Sequence, residues 1–224
     1  MTTPELTVEG GAAVTVALAI LLALGIIALS AWIAAVAYRG YRQSGDRSVL
    51  LLAVGIALTA TVPTTARIAL PTAGVSSLPT TAAAVAVQFA GLVAILAAIY
   101  GRPEGVDARL VAGATAGSLV VFAAPMAAVR ATDLGPSTAM TAVSSVTAVL
   151  GGFVAVQAYR GYRRYDRRPM LLLAVGLALL TVGAFVAITA VEWLPAVSDA
   201  AAVGTVWTVE LLGLVAILQS LRVD

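Results

Sequence analysis

The chain has 224 residues, 61% hydrophobic and only 11% charged, with a formal net charge of +2. Ordinary soluble domains are about 45–50% apolar and about 25% charged, so this composition fits lipid as its solvent. All 13 basic residues are Arg, and Cys, His and Lys are absent; this excludes disulfides, thiolate metal sites, His-ligated haem and metal, a His general base and any Lys Schiff base, and no cofactor is expected.

Residues 1–11 form a polar, acidic tail with no basic residue, unlike the positive start of a secretory signal, so the first apolar run reads as a retained helix. That run, Ala12 to Tyr38, is long enough to span about 30 Å of hydrocarbon. Arg39, Arg42 and Arg47 follow it in a basic loop. Further spans are predicted at Ser48–Leu70, Thr80–Tyr100, Leu110–Val129, Ser137–Tyr159, Met170–Val191 and Ala200–Leu221. Between them lie a turn-rich loop from Pro71 to Pro79, a Gly101-Arg102-Pro103 stop, a short loop from Arg130 to Pro136, and a loop holding Trp193 and Pro195.

An internal repeat organises these spans. Ala37-Tyr-Arg-Gly-Tyr-Arg42 returns as Ala158-Tyr-Arg-Gly-Tyr-Arg163, an offset of 121, and 15 of 22 positions match from Ala37–Leu58 to Ala158–Leu179. Gly91-Leu-Val-Ala-Ile-Leu96 returns as Gly213-Leu-Val-Ala-Ile-Leu218, now offset by 122, so one residue was gained between the second and third elements. Three spans reverse the side of the membrane, so a direct repeat needs one additional span between its copies. The predicted fold is therefore an all-α membrane protein of seven transmembrane helices in a 3+1+3 arrangement of parallel repeats. Its parts are a tail (1–11), a first three-helix repeat (12–100), a linker with the fourth helix (101–136) and a second repeat (137–224). With the N-terminus outside and the C-terminus cytoplasmic, 11 of the 13 Arg fall inside, and only Arg67 and Arg130 fall outside. All six Tyr lie at the same inner boundary, where amphipathic rings prefer the headgroup layer.

Few residues carry chemistry. Glu210 sits near the middle of the seventh span, where a carboxylate costs at least ~2.5 kcal/mol and should face the bundle interior. Its repeat mate is Gln88, and each is followed three positions later by Gly (Gly213, Gly91), on one helical face where another helix can approach. The pair reads as interhelical glue or as a ligand or proton site, with Trp207 one turn away as a further wall. Arg67, near the outer end of the second span, reads as a snorkelling cation or as an anion contact at an outward mouth; its mate is Ile188. Pro63, flanked by Thr61 and Thr64, should bend the second span, whereas the matching position in the sixth is Ala184; Pro125 should bend the fourth. Gly113 and Gly117 form a GxxxG, which reads as internal packing or, alternatively, a homodimer contact. The basic patch of Arg39, Arg42, Arg160, Arg163, Arg164, Arg167 and Arg168 reads as a topology anchor, or as a surface for anionic lipids or an acidic cytoplasmic protein partner. Nucleic acid is not an expected partner.

The run from Ala158 to Arg164, followed by Arg168-Pro-Met-Leu-Leu-Leu-Ala-Val-Gly176 and the closing Gly213 to Leu218 segment, resembles a family of small uncharacterised haloarchaeal membrane proteins with a single three-span unit. The resemblance implies a fused double copy in an archaeal plasma membrane and carries no functional residues with it. The layout is also similar to that of the SWEET sugar transporters, without their Pro-Gln motif, and to the seven-span sensory regions of some histidine kinases. Two functions are expected: a non-enzymatic sensor or accessory subunit signalling to a cytoplasmic partner, and, as the alternative, a small-solute transporter with a midplane site between the repeats. No constellation of paired acids or activated nucleophile suggests an enzyme.

Overall fold

The computed structural model describes residues 13–100, 108–192 and 199–221. The tail at 1–11, the Gly101-Arg102-Pro103 stop, Trp193, Pro195 and Arg222 lie outside them. Among the described residues, all regular structure is helical, and seven helices are long and apolar enough to cross a membrane. The first is Ala13–Ser44, the third Ser77–Tyr100, the fourth Ala108–Ala131, the fifth Pro136–Tyr165 and the seventh Asp199–Ser220. The second runs through Arg47–Ile56, Ala57–Thr61 and Val62–Thr72, and the sixth through Arg168–Ala178, Leu179–Gly183 and Ala184–Glu192.

Six helices close a ring. The first packs on the second, the second on the third, the third on the fifth, the fifth on the sixth, the sixth on the seventh, and the seventh back on the first. The fourth lies outside this ring, mainly against the third. It buries only Val121 and Pro125 and exposes Leu119 and Val120. Such an apolar surface is stable only in lipid.

The helices touch through glycine. A Cβ on Gly91 would sit 2.8 Å from the Gly55 carbonyl oxygen and 2.8 Å from the Thr59 nitrogen; one on Gly213 would sit 2.8 Å from the Gly176 carbonyl oxygen. The expected close approach at Gly91 and Gly213 is therefore present, with a second glycine opposite each. Lipid tails are as apolar as Leu, so backbone contact of this kind replaces the hydrophobic drive that packs soluble helices. Ile26, Ile33, Ile56, Ile95, Val154, Leu177, Leu214 and Ile217 fill the half of the ring nearer the Arg-rich turns. Of the GxxxG pair, Gly117 packs against Phe89, whereas Gly113 has nothing within 4 Å.

Two expectations need correction. The Tyr-Arg-Gly-Tyr-Arg segments are not loops: Arg39 and Arg42 continue the first helix, and Arg160, Arg163 and Arg164 the fifth. Arg is a strong helix former, and cations suit the last turn of a helix. The turns themselves are short, and each contains one left-handed residue, Gly45 at φ 68° and its counterpart Asp166 at φ 49°. The second correction concerns the helix interruption. Both the second and the sixth helices widen into a π-helical turn, at Ala57–Thr61 and Leu179–Gly183. Pro63 is thus not required for it. In each, a buried Thr hydroxyl reaches back one turn, Thr59 to the Gly55 carbonyl and Thr181 to the Leu177 carbonyl. Between the matched Gly and Thr the sixth helix carries one more residue than the second (Gly55-Ile-Ala-Leu-Thr59 against Gly176-Leu-Ala-Leu-Leu-Thr181), so the offset shifts inside this helix rather than after it.

Asp46 starts the second helix. Its carboxylate accepts the Ser48 backbone N–H at 2.9 Å and the Ser48 hydroxyl at 2.8 Å. These bonds, the backbone one foremost, hold the carboxyl below the usual carboxylate range. A carboxyl depressed on folding contributes stability above its unfolded pKa and loses it as pH falls through the folded one. Asp46→Asn keeps an N-cap acceptor without a charge. Acid titration of the thermal midpoint should therefore give a flatter profile for this variant than for the parent. The equivalent helix start in the second half has Arg167 with no side-chain cap and relies on Pro169 in its first turn.

Candidate functional site

The polar residues of the spans gather in one place. Segments of the second, third, fifth, sixth and seventh helices, on the far side from the Arg-rich turns, line a half-open cavity of about 540 Å³. Glu210, Gln88, Trp207 and Arg67 all line it. Glu210 and Gln88 are buried, at 6% and 8% exposure. Trp207 also packs on the Ile and Leu core beneath. Thr147 and Thr181 add hydroxyls at the same depth.

Arg67 does not stand apart at an outer mouth. Its Nη1 donates to Glu210 Oε1 at 3.3 Å, forming an ion pair. The guanidinium side chain is 28% exposed and the carboxylate side chain 9%. Two charges 143 residues apart in sequence thus share one site. The sequence signals separately an Arg inside a span and a Glu inside another; a search for opposite charges in facing helices would have joined them.

Repeat mates meet across the cavity. Glu210 and its mate Gln88 both line it, as do Trp207 and Val85 at the same 122 offset; with the extra residue placed before Thr181, Arg67 matches Thr189 rather than the lining residue Ile188. The charged pair Arg67 and Glu210 is thus matched by the neutral Thr189 and Gln88. Below the cavity, the two π turns and the glycine contacts mark the change to dry packing.

The basic patch lies at the opposite end. Tyr38 pairs with Tyr41, ring centroids 6.1 Å apart, and Tyr159 with Tyr162 at 6.0 Å. Arg164 stacks on Tyr165 at 5.5 Å. Arg39, Arg42, Arg160, Arg163 and Arg164 are carried by helix ends, while Arg167 and Arg168 open the sixth helix. None of these lines the cavity. Among the described residues no group of three or more His, Cys, Asp or Glu is placed to hold a metal.

One comparison bears on this layout. Residues 140–222 match DUF7521, a family of unknown function. The matched stretch takes in most of the fifth helix and all of the sixth and seventh, and so supplies Thr147, Thr181, Trp207 and Glu210 but not Arg67 or Gln88. The chain thus resembles DUF7521 over its second half. No curated protein and no solved structure matches it significantly.

Proposed function

We propose that this chain is a non-enzymatic, seven-span plasma-membrane protein of 3+1+3 parallel repeats, N-terminus outside and C-terminus cytoplasmic, that binds a small ligand in the Arg67–Glu210 cavity. It relays occupancy to a cytoplasmic partner through the Arg-rich face. The single observation carrying this reading is the cavity: an ion pair built into its wall, dry packing beneath it, and the basic face beyond. A pair buried solely for stability gains little over apolar packing, because desolvation consumes most of its attraction. A pair lining a cavity of ligand size has a use. The ring order supports the repeats, since the contacts of the first three helices recur in the fifth to seventh.

Mass spectrometry of the protein taken gently from its native membrane tests this. The expected result is a retained small molecule, lost in Glu210→Gln, and a stoichiometric cytoplasmic protein, lost when Arg163, Arg164, Arg167 and Arg168 are neutralised. Retention of neither sinks the proposal. Orientation has its own test: Cys placed at Ser44 and at Ser76 should label from opposite sides of sealed vesicles, and labelling from one side refutes the seven-span topology.

One observation favours transport as a second reading. The π turns fall at the cavity floor in both the second and sixth helices, and such π-bulges recur at functional sites within helices. Uptake of the retained molecule into proteoliposomes separates the two, because a sensor binds it without flux.

A further inference from the structure

The two cavity walls differ in kind. On one, Arg67 and Glu210 meet through a single nitrogen and a single oxygen at 3.3 Å. A guanidinium carries five N–H donors and a carboxylate two oxygens, so both can bond a third group without parting. On the other wall stand Ile188 and Phe185, with Gln88 as its polar member. Thr147 and Thr181 donate their hydroxyl protons to the Ser144 and Leu177 carbonyls, at 2.8 and 2.7 Å, so they offer lone pairs to the cavity rather than protons.

Charge balance selects the ligand. Arg67 and Glu210 neutralise each other, so a lone anion or a lone cation would leave the buried site with a net charge, which a low-dielectric interior penalises. A sugar asks for donors and acceptors on every side, and Ile188 and Phe185 supply none. A zwitterion adds one charge of each sign. Its carboxylate is received by the Arg67 fork and its ammonium by Glu210 and the Thr lone pairs.

Taking the cavity as the ligand site proposed above, we infer that it binds an amino-carboxylate zwitterion bearing an apolar side group, the head on Arg67 and Glu210 and the side group against Ile188 and Phe185. The volume of about 540 Å³ lies in the range that encloses a whole small molecule.

Calorimetry tests this on the full chain in phosphatidylglycerol nanodiscs, whose headgroup is not zwitterionic. The probes are L-phenylalanine, glycine, phenylpropionate, phenylalaninamide and glucose. Phenylalanine should saturate at one site and bind at least ~10-fold tighter than either analogue lacking one charge, each missing ion pair being worth a tenfold or more. Arg67→Gln should weaken it by a similar factor. Val206→Trp, which fills the cavity and spares the ion pair, should exclude phenylalanine while still admitting glycine, and it guards against misfolding of the charge variant. Equal binding of an analogue or of glucose, or phenylalanine binding indifferent to both variants, overturns the inference. So does silence from all five probes. In that case a molecule retained from native membrane would leave the cavity standing as a ligand site, and none retained would remove that reading too.

Discussion

Gly91→Ala and Gly213→Ala should each destabilise the bundle by about 3 kcal/mol, the upper part of the range for overpacking a close-fitted interior. The added methyl meets backbone, not a side chain able to swing aside: the Gly55 oxygen and Thr59 nitrogen for one, the Gly176 oxygen for the other, all at 2.8 Å. Relief requires the second helix to move off the third, or the sixth off the seventh. Either movement also strips contacts from Ile95 or Ile217, both fully buried. Gly113→Ala is the matched control. Nothing lies within 4 Å of it, so it should be neutral or gain about 1 kcal/mol of helix propensity. Unfolding in mixed micelles with rising dodecyl sulfate, followed by circular dichroism, measures all three. Equal effects at Gly113 and Gly91 would refute the close approach.

The second large effect is expected at the ion pair. Arg67→Gln and Glu210→Gln should each cost about 2 kcal/mol. That is below the 3–5 kcal/mol typical of breaking a fully buried pair, because Arg67 is 28% exposed. The double variant should cost less than the two singles together, by about 1–2 kcal/mol, since it leaves no charge behind. The same unfolding assay completes this cycle. Strict additivity would mean that the two side chains do not interact in the membrane.

Much of the architecture was legible in the residues. Hydropathy located seven helices, and the repeat named the glycines that touch. Gln88 and Glu210 stood out because a polar group in a span must find company. Other features were hidden for physical reasons. An Arg near a helix end satisfies the snorkelling rule whether it reaches water or a partner, so nothing local marked Arg67 as the mate of Glu210. The π turns were hidden because Thr59 and Thr181 look like ordinary small polar residues, whereas Pro63 drew attention to one helix alone. The Arg-rich segments read as loops from charge, although their helix propensity was equally visible and proved decisive.

The unlike walls of the cavity bear on the stoichiometry and orientation of a guest. Two identical three-span chains closing such a ring would place either Arg or Thr at both matching positions, and either Glu or Gln at both others. A guest in that space would meet equal ends and lie either way round. With Arg67 matched by Thr189 and Glu210 by Gln88, the site has a head and a foot. A guest bound in the proposed site should therefore lie in one orientation, one molecule per chain.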